Sequence, residues 1–158
     1  QLCIRQIKKY VTPETKLLDV GCGSGILSIG ALLLGAKSVL AIDIDEVASR
    51  IAKENLEKNG FSFPRAEVLC GNVMEDKILA SKIGCDNDVI CANIVAGIII
   101  EMADLFYSSL KADGVLIASG IISEREDEVA TALEKAGFEI IGATSEDDWS
   151  SILARKKN

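Results

Sequence analysis

The segment Leu17-Leu18-Asp19-Val20-Gly21-Cys22-Gly23-Ser24-Gly25 constrains this chain more than any other, because an apolar run passes directly into three glycines spaced two apart. A second apolar run, residues 38–42, follows a helix-length interval and ends in Asp43. Strand, glycine turn, helix, strand and terminal carboxylate make one nucleotide-type binding unit. The glycines let the backbone approach a ligand where a Cβ would clash, and the carboxylate can accept two hydrogen bonds from the vicinal hydroxyls of a ribose. The implied ligand is adenosine-like.

The glycine spacing narrows the ligand. A dinucleotide fingerprint, G-x-G-x-x-G, aims a helix N-terminus at a pyrophosphate and needs a third glycine where this chain has Ile26. Asp19, two residues before Gly21, sits close to the turn, where it suits an ammonium better than a phosphate. A turn whose glycines serve only tight packing is the alternative. An acidic strand end followed by Gly21, Gly23 and Gly25 resembles motif I of the class I S-adenosylmethionine-dependent methyltransferases, whose ligand is an amino-acid zwitterion joined to adenosine through a charged sulfur.

At 158 residues the chain is long enough for one domain with a genuine core, and a hydrophobic fraction of 49% suits a parallel sheet covered on both faces. No apolar stretch reaches the length of a membrane span. The start, Gln1-Leu2-Cys3, lacks an initiator Met and reads as that of an excised piece. Five cysteines without metal-type spacing read as buried free thiols in a reducing compartment, with Cys22 a small space-filler in the turn rather than a nucleophile. The absence of His removes the commonest general base and zinc ligand. A formal charge of −7 argues against a nucleic-acid backbone as direct partner and favours a basic protein. Acidic residues gather at Glu124, Glu126, Asp127 and Glu128 and again at Glu146, Asp147 and Asp148, where solvated faces are the simpler reading.

Periodicity and turn signals predict a helix over residues 1–11, strands over 16–20, 38–42, 65–69, 88–92 and 115–119, and helices over 24–34, 75–82 and 96–110 between them. Asp45 should cap a helix running to Asn59, with Val47, Ala48, Ile51, Ala52, Asn55 and Leu56 as its inward stripe. Ser123 and Glu126 form a capping-box pattern for a helix to Ala136. Two last strands, 138–143 and 149–154, are close enough to pair as a hairpin. The expected architecture is a three-layer α/β Rossmann-like sandwich, a seven-stranded, mostly parallel sheet with an antiparallel C-terminal hairpin.

Ligands of such sheets lie beyond the C-terminal strand ends, which puts Gly21, Asp43, Asn72 and Asn93 on one rim. Asp43 is placed to hold a ribose diol, and Ile44 offers an apolar face for adenine. Asn72 either presents its amide to the adenine edge or merely tolerates the turn. Asn93-Ile94-Val95-Ala96 lacks the prolines and aromatic ring of the Asn-Pro-Pro-Tyr arrangement that serves planar nitrogens. With Ser119-Gly120-Ile121, Trp149 and Asp43-Ile44-Asp45, it is similar to the ribosomal protein L11 methyltransferases, over essentially the whole chain.

That resemblance implies transfer of methyl groups from S-adenosylmethionine to amines, lysine side chains or an N-terminal α-amine, of a basic large-subunit ribosomal protein in a bacterial cytoplasm. It implies cofactor contacts at Asp19, Gly21, Gly23, Gly25, Asp43, Ile44, Asn72 and Asn93, with Asn93 also bordering the acceptor nitrogen. Asn93 as a helix N-cap is compatible with that role, and Trp149 is expected in the hairpin core. The chain is similar to the family's catalytic domain alone, residues 1–158, without its N-terminal substrate-recognition domain. Against the family reading stand a nicotinamide-dependent oxidoreductase, a methyltransferase acting on a small molecule or RNA, and a non-catalytic cofactor-binding module.

Overall fold

Apolar strands alternate with one-sided helices, and the computed structural model, which describes residues 2–157, assembles them into one sheet of order β3-β2-β1-β4-β5-β7-β6. The first half of the chain gives α1 (Leu2–Tyr10), β1 (Lys16–Val20), α2 (Ile26–Leu33), β2 (Ser38–Asp43), α3 (Glu46–Lys58), β3 (Ala66–Cys70) and α4 (Lys77–Ile83). The second gives β4 (Asn87–Asn93), α5 (Ala96–Glu101), α6 (Ala103–Ser109), β5 (Leu110–Ile122), α7 (Glu126–Lys135), β6 (Phe138–Glu146) and β7 (Trp149–Lys156). Gln1, the first residue of the expected opening helix, lies outside the described residues.

β1 pairs in parallel with β2 on one side and β4 on the other, so Asp19 lies opposite both Ala41 and Cys91. β3 and β5 extend the parallel array, and β7 runs antiparallel between β5 and β6. From β1 the chain winds outward to β3, then returns to start again at β4. That reversal opens a crevice beyond the ends of β1 and β4.

Each face of the sheet has its own core. Leu18, Ile90 and Leu116 pack with Phe106, Leu133 and Phe138 under α5, α6 and α7, while Leu17, Cys91 and Ile117 pack with Ile7 and Leu32 under α1 and α2. Strands buried on both sides explain the nearly continuous apolar runs. No helix among the described residues is long and apolar enough to cross a membrane.

Asp45 caps α3 as expected, its Oδ1 accepting from Val47 N at 2.8 Å. The inward stripe of α3 differs: Ser49, Ala52 and Leu56 are buried, whereas Val47 and Ile51 face outward. Close approach of α3 to the glycine turn puts the small Ala52 against Gly25, while Leu56, further along the helix, reaches the core. The expected helix over 96–110 is two helices broken at the buried Met102, whose ψ of 1° ends α5. β5 then begins at Leu110, since Asn87 Nδ2 donates to Ile83 O at 2.8 Å and Ser109 O at 2.9 Å and pins α6 beside β4.

The capping box at Ser123 is not formed. Residues Ser123–Arg125 make a 3-10 turn, the residue before α7 provides no side-chain cap, and Ser123 and Glu126 bond to the hairpin instead.

Gly25 joins the glycine turn to α2 and lies against α3: its φ is 81°, and a Cβ there would stand 3.3 Å from Ala52 Cα. Gly25→Ala therefore combines left-handed strain with overlap, and urea denaturation should show a loss of about 2 kcal/mol.

Candidate active site

Two backbone donors after β1 share one acceptor at the end of β2: Gly21 N and Cys22 N reach Ile42 O at 2.9 and 3.1 Å. With Gly21 and Gly23 at φ 69° and 54°, the turn curls toward β2, and Gly23 N donates to Asp43 Oδ2 at 2.8 Å. Asp45 N donates to Asp43 Oδ1 at 3.0 Å. Each carboxylate oxygen is thus fixed by one backbone N–H and keeps a further lone pair. A Cβ on Gly21 would overlap Ile94 Cγ2, whereas one on Gly23 would enter open space.

The crevice holds a cavity of about 570 Å³, the size of a small-ligand site. Gly21, Asp43, Ile44 and Asn72 all line it, so four of the residues singled out from sequence converge. Ile44 is 70% exposed, an apolar side chain left at the cavity edge. Asn72 closes its own turn, Oδ1 accepting from Met74 N at 3.0 Å, and lines the cavity as well. The opposite wall is Ile94 and Val95 with Ile98 and Glu101 of α5 and Met102 at its end.

The other four stand differently. Gly23 acts through its bond to Asp43, and Gly25 packs against Ala52. Asn93 is exposed at the end of β4, outside the cavity wall but beside it; a Cβ on Gly120 would lie 3.1 Å from Asn93 Oδ1 and 2.9 Å from Ile94 O. Its N-cap reading is corrected: Val95 holds that position, with no side-chain cap. Trp149 is also corrected, being 53% exposed rather than hairpin core, because it begins β7 at the rim opposite Ile122.

Asp19 is fully buried behind the turn. Ser28 Oγ donates to Oδ2 at 2.6 Å, and Oδ1 has no partner among the described residues. Burial pushes its carboxyl from the ordinary 3.8 up to about 6, offset in part by Ser28. Burial, then the charges of Asp19 and Asp43, pushes the Cys22 thiol to about 12, which keeps it neutral and non-nucleophilic.

Sequence reasoning did not single out Met74, Ile98, Glu101 and Met102 as wall residues. Met74 follows Asn72 closely enough to have been a candidate, whereas the α5 residues become visible only once the helix break at Met102 sets their face.

A parallel sheet reversing at β1 and β4, a glycine turn tied to a ribose-type carboxylate and an antiparallel last strand define a class I S-adenosylmethionine-dependent methyltransferase fold. The family model for ribosomal protein L11 methyltransferase (PrmA) matches residues 1–157. The chain is 44% identical over 155 residues to the ribosomal protein L11 methyltransferase of Bacillus pumilus, covering 98% of this chain and 48% of that protein. The corresponding protein of Lachnoclostridium phytofermentans is 42% identical over 172 residues, 100% of this chain and 52% of that one. A crystal structure of ribosomal protein L11 methylase from Lactobacillus delbrueckii subsp. bulgaricus superposes with a TM-score of 0.85 at 30% identity, covering 99% of this chain and 78% of that chain. The chain belongs to the ribosomal protein L11 methyltransferase family, and spans about half the length of the curated relatives it matches.

The raised Asp19 carboxyl carries a sign. The folded state holds this proton more tightly than the unfolded one, so the cost of the buried charge is complete above pH 6 and is relieved as pH falls toward 4. Asp19→Asn should remove a stability decline of about 3 kcal/mol between about pH 4 and 6, read as the difference between wild-type and variant denaturation profiles.

Proposed function

We propose that this domain binds S-adenosylmethionine in the crevice and transfers its methyl group to amine nitrogens of ribosomal protein L11, on lysine side chains or the N-terminal α-amine. The observation that carries this is Asp43, a cavity-lining carboxylate whose two oxygens are each held by one backbone N–H, those of Gly23 and Asp45. A carboxylate so held fits a ribose diol. The unpartnered Oδ1 of Asp19 under the turn favours a cationic amino-acid end over a pyrophosphate.

In this reading Asp43 holds the ribose, Gly21 and Gly23 let the backbone come close, and Ile44 and Asn72 flank the adenine. Asp19 adds negative potential from behind Gly21, and Gly25 keeps the turn seated on α3. Asn93, at the end of β4, borders the acceptor nitrogen. The bound cofactor supplies an electrophilic sulfonium methyl. The protein's share is to align the nitrogen with it and to exclude water.

The acceptor must be neutral. Neutralising a lysine of pKa about 10.4 at pH 7 costs about 5 kcal/mol, against about 1 kcal/mol for an α-amine near 7.8. Apolar Ile94 and Val95 at the mouth lower that cost by disfavouring the ammonium. With no His in the chain, the proton passes to water, and the Asn93 carbonyl serves only as a hydrogen-bond acceptor for the neutral amine. Cys3, Cys22 and Cys91 are buried as expected, but Cys70 and Cys85 are exposed, Cys70 because it closes β3 at the sheet edge; all five are free thiols, in keeping with a reducing bacterial cytoplasm.

Calorimetric titration should show saturable S-adenosylmethionine binding that Asp43→Ala weakens by about tenfold or more, as expected for a lost charge-assisted pair. NAD should give no heat. Binding of NAD in place of S-adenosylmethionine would overturn the proposal.

A further inference from the structure

Two acidic runs far apart in sequence, residues 124–128 and 146–148, meet in the fold. The tip of the β6–β7 hairpin is seated on the turn after β5: Ser123 N donates to Asp148 O at 3.0 Å, and Ser145 Oγ donates to Glu126 Oε2 at 3.1 Å. The hydroxyls of Ser145, buried Ser150 and Ser123 follow one another at 3.0 and 3.3 Å. The tip is therefore held in place, although Asp147 pays no part in those bonds and adopts a left-handed φ of 54°.

This seating brings apolar side chains to the same rim. Trp149 pairs with Ile122 across β7 and β5, at 53% and 43% exposure. Gly120, two residues before Ile122, abuts the Asn93–Ile94 backbone that leads to Val95, 65% exposed at the cavity wall. The apolar rim is thus continuous with the cavity through neighbouring strand ends. The three segments that build it, residues 93–101, 119–128 and 144–151, contain eight carboxylates and one cation, Arg125. Arg125 is already paired with Glu128 at 2.7 Å.

We propose that Trp149 and Ile122, flanked by Glu124, Asp147 and Asp148, form the docking surface for a lysine-bearing segment of a basic protein; this rests on the amine-methylation reading above. An aliphatic lysine stem covers the apolar rim and its ammonium meets the indole face and the carboxylates. A phosphate backbone meets only repulsion there.

Trp149 is the chain's single tryptophan, so its emission reads the surface directly. A lysine-rich peptide free of aromatic residues, titrated with and without S-adenosylhomocysteine, should shift that emission saturably. Acetylating its lysines, or about 0.5 M salt, should abolish the shift. The double substitution Asp147→Asn, Asp148→Asn should weaken it by about threefold to fivefold. An absent shift, one unaffected by acetylation, one produced equally by an oligoribonucleotide, or one that follows protein concentration alone would each overturn the proposal. S-adenosylmethionine titration of the same samples reads the cofactor site separately: its failure counts against the proposed function, while intact cofactor binding without a peptide response overturns only the docking surface.

Discussion

The hydrogen bond from Gly23 N to Asp43 Oδ2 ties together everything on the ligand side of this molecule. It joins the turn after β1 to the end of β2, and it can form only because parallel pairing of those strands ends them side by side. The glycine φ values bring the N–H inward, and Asp45 N fixes the second oxygen while Asp45 itself caps α3. A carboxylate with free rotation would lose entropy on gripping a diol; this one has lost it on folding. Strand pairing, turn geometry and helix capping therefore converge on one side chain.

Asn87 and Asp19 show how differently a buried polar group can be treated. Asn87 spends both amide hydrogens on Ile83 O and Ser109 O and locks α4 and α6 to the start of β4, a fully served structural bond pair. Asp19 has Ser28 for one oxygen and, among the described residues, nothing for the other. An apolar residue in its place would remove that penalty, as the neighbouring strand positions demonstrate. A half-satisfied carboxylate under the glycine turn is instead a standing negative potential, which the proposed function would match to a cationic ligand end.

Where sequence was legible, the determinants were local. The glycine turn, Asp43, the Asp45 cap and the strand pattern depend on residues within a few positions of one another, and the sheet followed from them. The misreadings have a common physical origin in tertiary contact. Val47 and Ile51 looked like core because they are large and apolar, yet the inner face went to Ala52, packed against Gly25, and to Ser49, whose Oγ donates to Asp43 O at 3.3 Å. Ser123 and Glu126 had the composition of a capping box, but the hairpin offered Ser150 and Ser145 as partners. Trp149 looked buried by its hydrophobicity, and only the register with Ile122 shows that it stands at the rim.

The same contrast divides the site. Its ligand side is drawn from Gly21 to Met74, three successive βα units, so one stretch of chain sets it. The rim beyond β4 and β5 is assembled from three separated segments, and it exists because the last hairpin inserts β7 between β5 and β6, carrying its tip back over the turn at Ser123. The tip touches the rest of the rim through hydroxyls, the Ser123 N–Asp148 O bond and the end of the β5–β7 ladder rather than through the apolar core. Residues there can change without disturbing the strand ends that hold Asp43. A fold built this way ties the cavity wall tightly to the sheet and the hairpin rim only loosely to it, so under the proposed function the rim would match the charge and shape of an acceptor while the carboxylate at the end of β2 stays fixed.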